Sequence, residues 1–141
     1  MTGPGEHELR GRRILLVEGE ILAAMFMEDM LLELGWEVVG PASNVADALD
    51  LAARERPDAA VLDVNLGDEP VYPVADALRQ AGVPFVFVTG YSQAGLADAY
   101  RSHPFLMKPI DPDTFGADLA AGLREAAGRV DGAAAPPPGP G

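Results

Sequence analysis

Ala59-Ala60-Val61-Leu62 is a run that is apolar at every position and ends on Asp63. A half-buried strand alternates apolar with polar residues, so a short run without alternation reads as a strand covered on both faces, as in the middle of a parallel sheet. Such a sheet needs helical crossovers on either side, and the flanking sequence supplies them. Upstream, Asn44 can cap a helix, with Asp47 three residues on in the manner of a capping box. Val45, Ala48, Leu49 and Ala52 then fall at i, i+3, i+4 and i+7 before Pro57 ends the segment. Downstream, Val71, Val74, Ala75 and Leu78 repeat that spacing, Gly82 closes the helix, and Phe85 to Val88 forms another fully apolar strand.

Further out the alternation continues. Ile14 to Val17 is a first strand. Between Glu20 and Leu34, the residues Leu22, Phe26, Met30 and Leu34 recur every four positions, which sets one apolar stripe on a helix stopped by Gly35. Val38 and Val39 make a short strand. Ser92 to Tyr100 has an internal Gly95 and few large apolar residues, so a short or partly frayed helix is expected there. Phe105 to Met107 is a fifth strand. Asp111 and Pro112 then offer an N-cap and first-turn proline for a last helix carrying Phe115, Leu119 and Leu123. Five strands alternating with five helices imply an α/β fold, and right-handed crossovers place helices on both faces of its sheet. In such folds the active crevice lies at the carboxyl ends of the strands.

A chain of 141 residues that is 48% hydrophobic and 23% charged has the size and composition of one folded domain. Residues 1–11 and 130–141 read as disordered tails, the second rich in Ala, Pro and Gly, which leaves 12–129 as the folded unit. Ten basic side chains against 22 acidic ones give a net charge of −12, which repels phosphate backbones and anionic lipid and argues against nucleic-acid or membrane binding. There is no cysteine, which removes disulfides, thiolate metal sites and cysteine nucleophiles, and a cytoplasmic location is expected. No apolar run approaches the ~20 residues of a membrane span.

The residues at the strand ends are Glu18, Asp63, Thr89 and Lys108. Singly, each has an ordinary explanation as a helix cap, a strand residue or a solvated charge. Together they supply what a phosphoryl-accepting site needs. A carboxylate acts as nucleophile, an ammonium and a hydroxyl hold the transferred oxygens, and a hard cation neutralises the remaining charge. No GxxxxGK[ST] loop is present, so the site reads as built to receive phosphate rather than hold a nucleotide. His7 and His103 lack ligand-like spacing. Met25, Met27 and Met30 read as core and surface-edge filling.

The stretches LLVEGE (Leu15 to Glu20), VLDVNLG (Val61 to Gly67), FVTGY (Phe87 to Tyr91) and MKP (Met107 to Pro109) resemble those of response regulator receiver domains, over Arg13 to about Leu123. The resemblance implies a flavodoxin-like, doubly wound (βα)5 fold with a five-stranded parallel sheet of order 2-1-3-4-5. It also implies that Asp63 is the phosphoacceptor, that Thr89 and Lys108 bind the phosphoryl group, and that Phe105 is an aromatic switch. The Lys108–Pro109 peptide is then expected cis. Magnesium would be held by Glu18, Asp63 and the backbone carbonyl of Asn65, with Glu20 a further candidate. FVTGY is similar to the FAT-GUY subgroup, with Val88 where that subgroup has alanine. The partners implied are a sensor histidine kinase or histidine phosphotransfer protein and an unidentified downstream protein. A dimer or partner surface is expected on the last two helices and fifth strand.

One departure stands out. Receivers usually place an acidic pair after the first strand, and here the second member is Gly19, which has no side-chain ligand. Either magnesium binding is weakened, or Glu18 or Glu20 reaches in. The expected function is therefore a stand-alone, phosphorylatable receiver rather than an enzyme, with a phosphorylation-independent interaction module as the alternative. A small phosphohydrolase is the third reading.

Overall fold

The computed structural model describes residues 12–90 and 96–134. The expected tail at 1–11, residues 135–141 of the tail expected at 130–141, Tyr91, and Ser92 to Gly95 of the weak fourth helix lie outside the described residues. Five parallel strands form the sheet: β1 (Arg13–Val17), β2 (Glu37–Ala42), β3 (Ala59–Asp63), β6 (Phe85–Thr89) and β7 (Phe105–Met107), in the order β2-β1-β3-β6-β7. This is the order expected. Leu16 faces Val61, Val61 faces Val86 and Val88 faces Leu106, so β3 sits at the centre and is buried throughout.

Period-two alternation splits the strands between two cores. Leu15, Val17, Ala60, Leu62, Phe85 and Phe87 pack with α2 (Val45–Glu55) and α3 (Tyr72–Gln80). Ile14, Leu16, Val61, Val86 and Val88 pack with α1 (Ile21–Glu33) and α4 (Phe115–Ala134). α4 lies close on the sheet at Gly122, where a Cβ would come 2.7 Å from Val86 Cγ1. The α2 cap forms as expected. Asn44 Oδ1 accepts from the Asp47 amide at 2.8 Å, and the Asn44 amide donates to Asp47 Oδ2 at 3.0 Å. Asp111 caps the turn that leads into α4, its Oδ1 accepting from the Asp113 amide at 2.9 Å and its carbonyl from the Phe115 amide at 3.0 Å.

Several expectations are corrected. On α1 the buried residues are Ala24, Met27, Met30 and Leu31, while Leu22 and Phe26 face solvent. The helix is apolar almost all round, so a four-residue repeat could not choose the face that meets the sheet. β2 is longer than Val38 and Val39. Its register against β1 shifts between Leu15 and Val17, next to Pro41, whose missing N–H an edge strand tolerates. In place of the helix expected at Ser92 to Tyr100, the described part holds only a 3-10 turn, Asp98–Tyr100. α4 is helical through Ala134, the last described residue. A small hairpin was not foreseen. β4 (Asn65–Leu66) pairs with β5 (Glu69–Pro70) across a Gly67-Asp68 turn, in which Gly67 takes the positive φ of 78° that a two-residue turn of this kind demands.

Candidate functional site

Each chemistry-bearing side chain leaves the sheet at a carboxyl end. Glu18 follows β1, Asp63 and Thr89 are the last residues of β3 and β6, and Lys108 follows β7. Because the strands are parallel and in register, these ends converge on one crevice lined by Glu18, Gly19, Glu20, Asp63, Asn65, Gly67, Gly90 and Lys108. Lys108 Nζ lies 3.2 Å from Glu18 Oε1 and 3.5 Å from Asp63 Oδ2, so one ammonium bridges both carboxylates. The Lys108 amide donates to the Thr89 carbonyl at 2.8 Å, and the Lys108–Pro109 peptide is cis.

Glu18 and Asp63 are held differently. Glu18, 2% exposed, accepts from the Glu20 amide through Oε2 at 3.1 Å. Its Oε1 is buried with no hydrogen bond, because Lys108 approaches within ion-pair range but off the hydrogen-bonding direction. Burial, and then the neighbouring Asp63 carboxylate, push the Glu18 carboxyl up to about 7, against the pull of the Glu20 amide and Lys108. Asp63 keeps an edge open to the crevice, and its Oδ1 accepts from the Asn65 amide at 3.3 Å. For Lys108, burial acts downward, yet the charges of Asp63 and Glu18 outweigh it and raise the ammonium above its ordinary value.

The crevice thus gathers Glu18, Asp63, Asn65, Lys108 and Glu20, the last an exposed residue at the start of α1. Thr89 is buried at the β6 end. Phe105 is half-buried, faces Phe87 across the sheet and packs on the α3-side core. Among the described residues no three acidic, histidine or cysteine side chains gather as metal ligands. The donors that are present are oxygens, and an orphaned, buried Glu18 Oε1 beside Asp63 fits a hard cation that keeps several waters. Sequence reasoning missed the hairpin that carries Asn65 and the side chains of α3 that face the turn at Asp98–Tyr100. Gly67 was the available signal for the hairpin.

A parallel five-stranded sheet of this order, with an acid, a hydroxyl and a lysine at its strand ends, defines a class of signalling domain. Residues 14–120 match the response regulator receiver domain family, and the chain belongs to it. It is therefore a signalling domain rather than an enzyme, in a family that typically binds Mg2+. The chain is 32% identical over 116 residues to the transcriptional regulatory protein PdtaR of Mycobacterium tuberculosis, covering 78% of this chain and 57% of PdtaR. It is 32% identical over 114 residues to the phyllosphere-induced regulator PhyR of Methylorubrum extorquens, covering 78% of this chain and 43% of PhyR. The chain thus spans about half the length of these curated relatives. Among solved structures, SdrG from Sphingomonas melonis Fr1 superposes with a TM-score of 0.71 at 43% identity, covering 80% of this chain and 96% of SdrG. PhyR from Brucella abortus superposes with a TM-score of 0.72 at 28% identity, covering 92% of this chain and 55% of that one. No helix among the described residues is long and apolar enough to cross a membrane.

Proposed function

We propose that Asp63 accepts a phosphoryl group from a phosphohistidine on a histidine kinase or phosphotransfer protein, and that the chain signals by changing its contacts with a further protein. The observation that carries this reading is the carboxylate of Asp63 at the end of the central strand, open to the crevice, with Lys108 Nζ 3.5 Å away. An Asp63 oxygen attacks phosphorus, a P–O bond forms, the P–N bond to the donor imidazole breaks, and the imidazole leaves with a proton from water. Lys108 exchanges its carboxylate contacts for phosphoryl oxygens, and the Thr89 hydroxyl turns toward the same group. Magnesium would be held by Glu18, Asp63 and the backbone carbonyl of Asn65, with Glu20 as a further candidate, and would supply charge neutralisation there.

Two surfaces fit the partners. α1 exposes Ile21, Leu22, Met25 and Phe26 beside the acidic Glu28, Asp29 and Glu33, an apolar face suited to meeting the phosphodonor. The face between β7 and α4, with Phe105, Met107, Ile110 and Phe115 along its groove, is the proposed dimer or output surface. A cytoplasmic setting accords with a kinase donor, and FVTGY supports placement near the FAT-GUY subgroup.

Incubation with Mg2+ and a small acyl phosphate is expected to add one labile phosphoryl group by intact mass spectrometry, and none in Asp63→Asn. Absence from both proteins, together with no transfer from histidine kinases, would favour the phosphorylation-independent module, the reading that Gly19 motivates. A Cβ on Gly19 would sit 3.4 Å from Leu66 Cα, at the near edge of ordinary contact, so Gly19→Asp makes a usable comparison. A magnesium titration followed by NMR is expected to tighten in Gly19→Asp and weaken in Glu18→Gln.

A further inference from the structure

The stretch Leu96 to Arg101 has no α-helix to fix it, only the 3-10 turn, yet Leu96 and Tyr100 are buried. The side chains of α3 hold it. Tyr72, the first residue of α3, accepts the Ala97 N–H on its hydroxyl at 2.9 Å. The Tyr100 hydroxyl donates to Asp76 Oδ1 at 2.5 Å. The two tyrosine rings lie nearly parallel, with centroids 5.7 Å apart and planes 7° apart, and the Arg79 guanidinium stands 5.7 Å from the centre of the Tyr100 ring. Tyr72, Asp76 and Arg79 are spaced i, i+4 and i+7, so one stripe of α3 presents an acceptor, a carboxylate and a cation to one loop.

Beneath the loop, Phe85, Phe87 and Thr89 share a side of β6. Tyr100 meets Phe87 edge-on at 5.3 Å and Phe85 at 6.0 Å, and His103 stacks on Phe85 at 4.3 Å. Phe87 in turn faces Phe105 across the sheet. The loop is thus a cover over a ring cluster that leads to Thr89 along the strand and to Phe105 across it. Tyr100 stays protonated throughout the working range, since burial and Asp76 push it up to about 12.

We infer that Tyr72, Asp76 and Arg79 form a latch for residues 96–101, which two tyrosine hydroxyls hold shut and which opens as one unit to uncover the Phe85–Phe87 rings. The ring stacking gives little directional restraint, so the two hydroxyl hydrogen bonds are the directional hold that α3 has on residues 96–101, beside the contact of the His103 ring nitrogen with the Phe85 carbonyl at 2.8 Å. The connection of this opening to phosphoryl loading rests on Asp63 being the acceptor.

Amide hydrogen exchange by NMR on the full chain tests the latch. The amides of Ala97, Tyr100 and His103 report on the loop, and those of Val61 and Leu62 in β3 report on the global fold. Tyr72→Phe and Tyr100→Phe each remove one hydroxyl and keep the ring, and each is expected to speed all three loop amides together by about fivefold or more, with β3 unchanged. Asp76→Ala, at an exposed position, is expected to match Tyr100→Phe. If Tyr100→Phe and Asp76→Ala leave Ala97 exchange unchanged, its own acceptor Tyr72 being intact, the bonds act separately and the latch is overturned. After treatment with acyl phosphate, a change in loop exchange present in the wild type and absent in Asp63→Asn supports the coupling. A mass-confirmed adduct with unchanged loop exchange overturns that coupling. Failure to form an adduct counts against Asp63 as acceptor, and the hydroxyl variants still decide the latch.

Discussion

Glu18 is pulled two ways: one oxygen is fixed by the Glu20 amide, while the other lies buried beside Asp63 without a hydrogen bond. Its carboxyl is raised from 4.5 to about 7, with burial the leading cause and Asp63 second. A folded value above the unfolded one means that the protonated form stabilises the fold. That stability is complete below about pH 4.5 and is lost as pH rises through about 7. The loss is at most about 3–4 kcal/mol, since each pKa unit is worth about 1.4 kcal/mol. Metal-free protein is therefore expected to lose thermal stability between pH 5 and pH 8 relative to Glu18→Gln, whose amide cannot ionise. Parallel pH profiles for the two proteins would remove Glu18 as the source. The convergence of Glu18, Asp63 and Lys108 was legible because parallel strands put their last residues in one place whatever the side chains do. The orphaned Glu18 oxygen was not legible, since it depends on the angle at which Lys108 arrives, and no spacing in the sequence encodes that angle.

At the scale of the element, legibility followed the contrast between faces. α2 and α3 have one apolar face each, and the spacing of Ala48, Val74, Ala75 and Leu78 identified buried positions correctly. α1 offers no such contrast: of the expected stripe, Met30 and Leu34 meet the core while Leu22 and Phe26 face solvent. The hairpin at Asn65–Pro70 and the α3 latch escaped for another reason: both depend on pairings made only when the loops fold back, not on a repeat within one segment. The α1 assignment has a direct test in urea denaturation. Leu31, with no exposed surface, is expected to cost about 2–5 kcal/mol as Leu31→Ala, the range for truncating a buried leucine. Leu22→Ala, at 77% exposure, is expected to stay within about 0.5 kcal/mol. Equal losses at the two sites would mean that α1 is rotated on the sheet, with Leu22 facing inward after all.

Across the whole molecule the field is negative, with 22 acidic side chains against ten basic ones. Several of those cations are already engaged: Arg13 with Glu37 and Glu55, Arg54 with Asp50, Arg101 with Asp98, and Lys108 in the crevice. Exposed pairs of this kind add little to stability, so unpaired acidic repulsion sets the salt response. Shortening the Debye length from ~30 Å at ~0.01 M salt to ~10 Å at ~0.1 M is therefore expected to raise the melting temperature by a few degrees. The same field opposes a small anionic phosphodonor at long range, while Lys108 attracts it only within the crevice. If Asp63 is the acceptor, loading from an acyl phosphate at fixed free Mg2+ is expected to speed up several-fold over that salt range, because screening lifts the repulsion the donor meets on approach. A rate that falls with salt while the melting temperature rises would assign control of donor approach to the local charge of Lys108 rather than to the net charge of the chain.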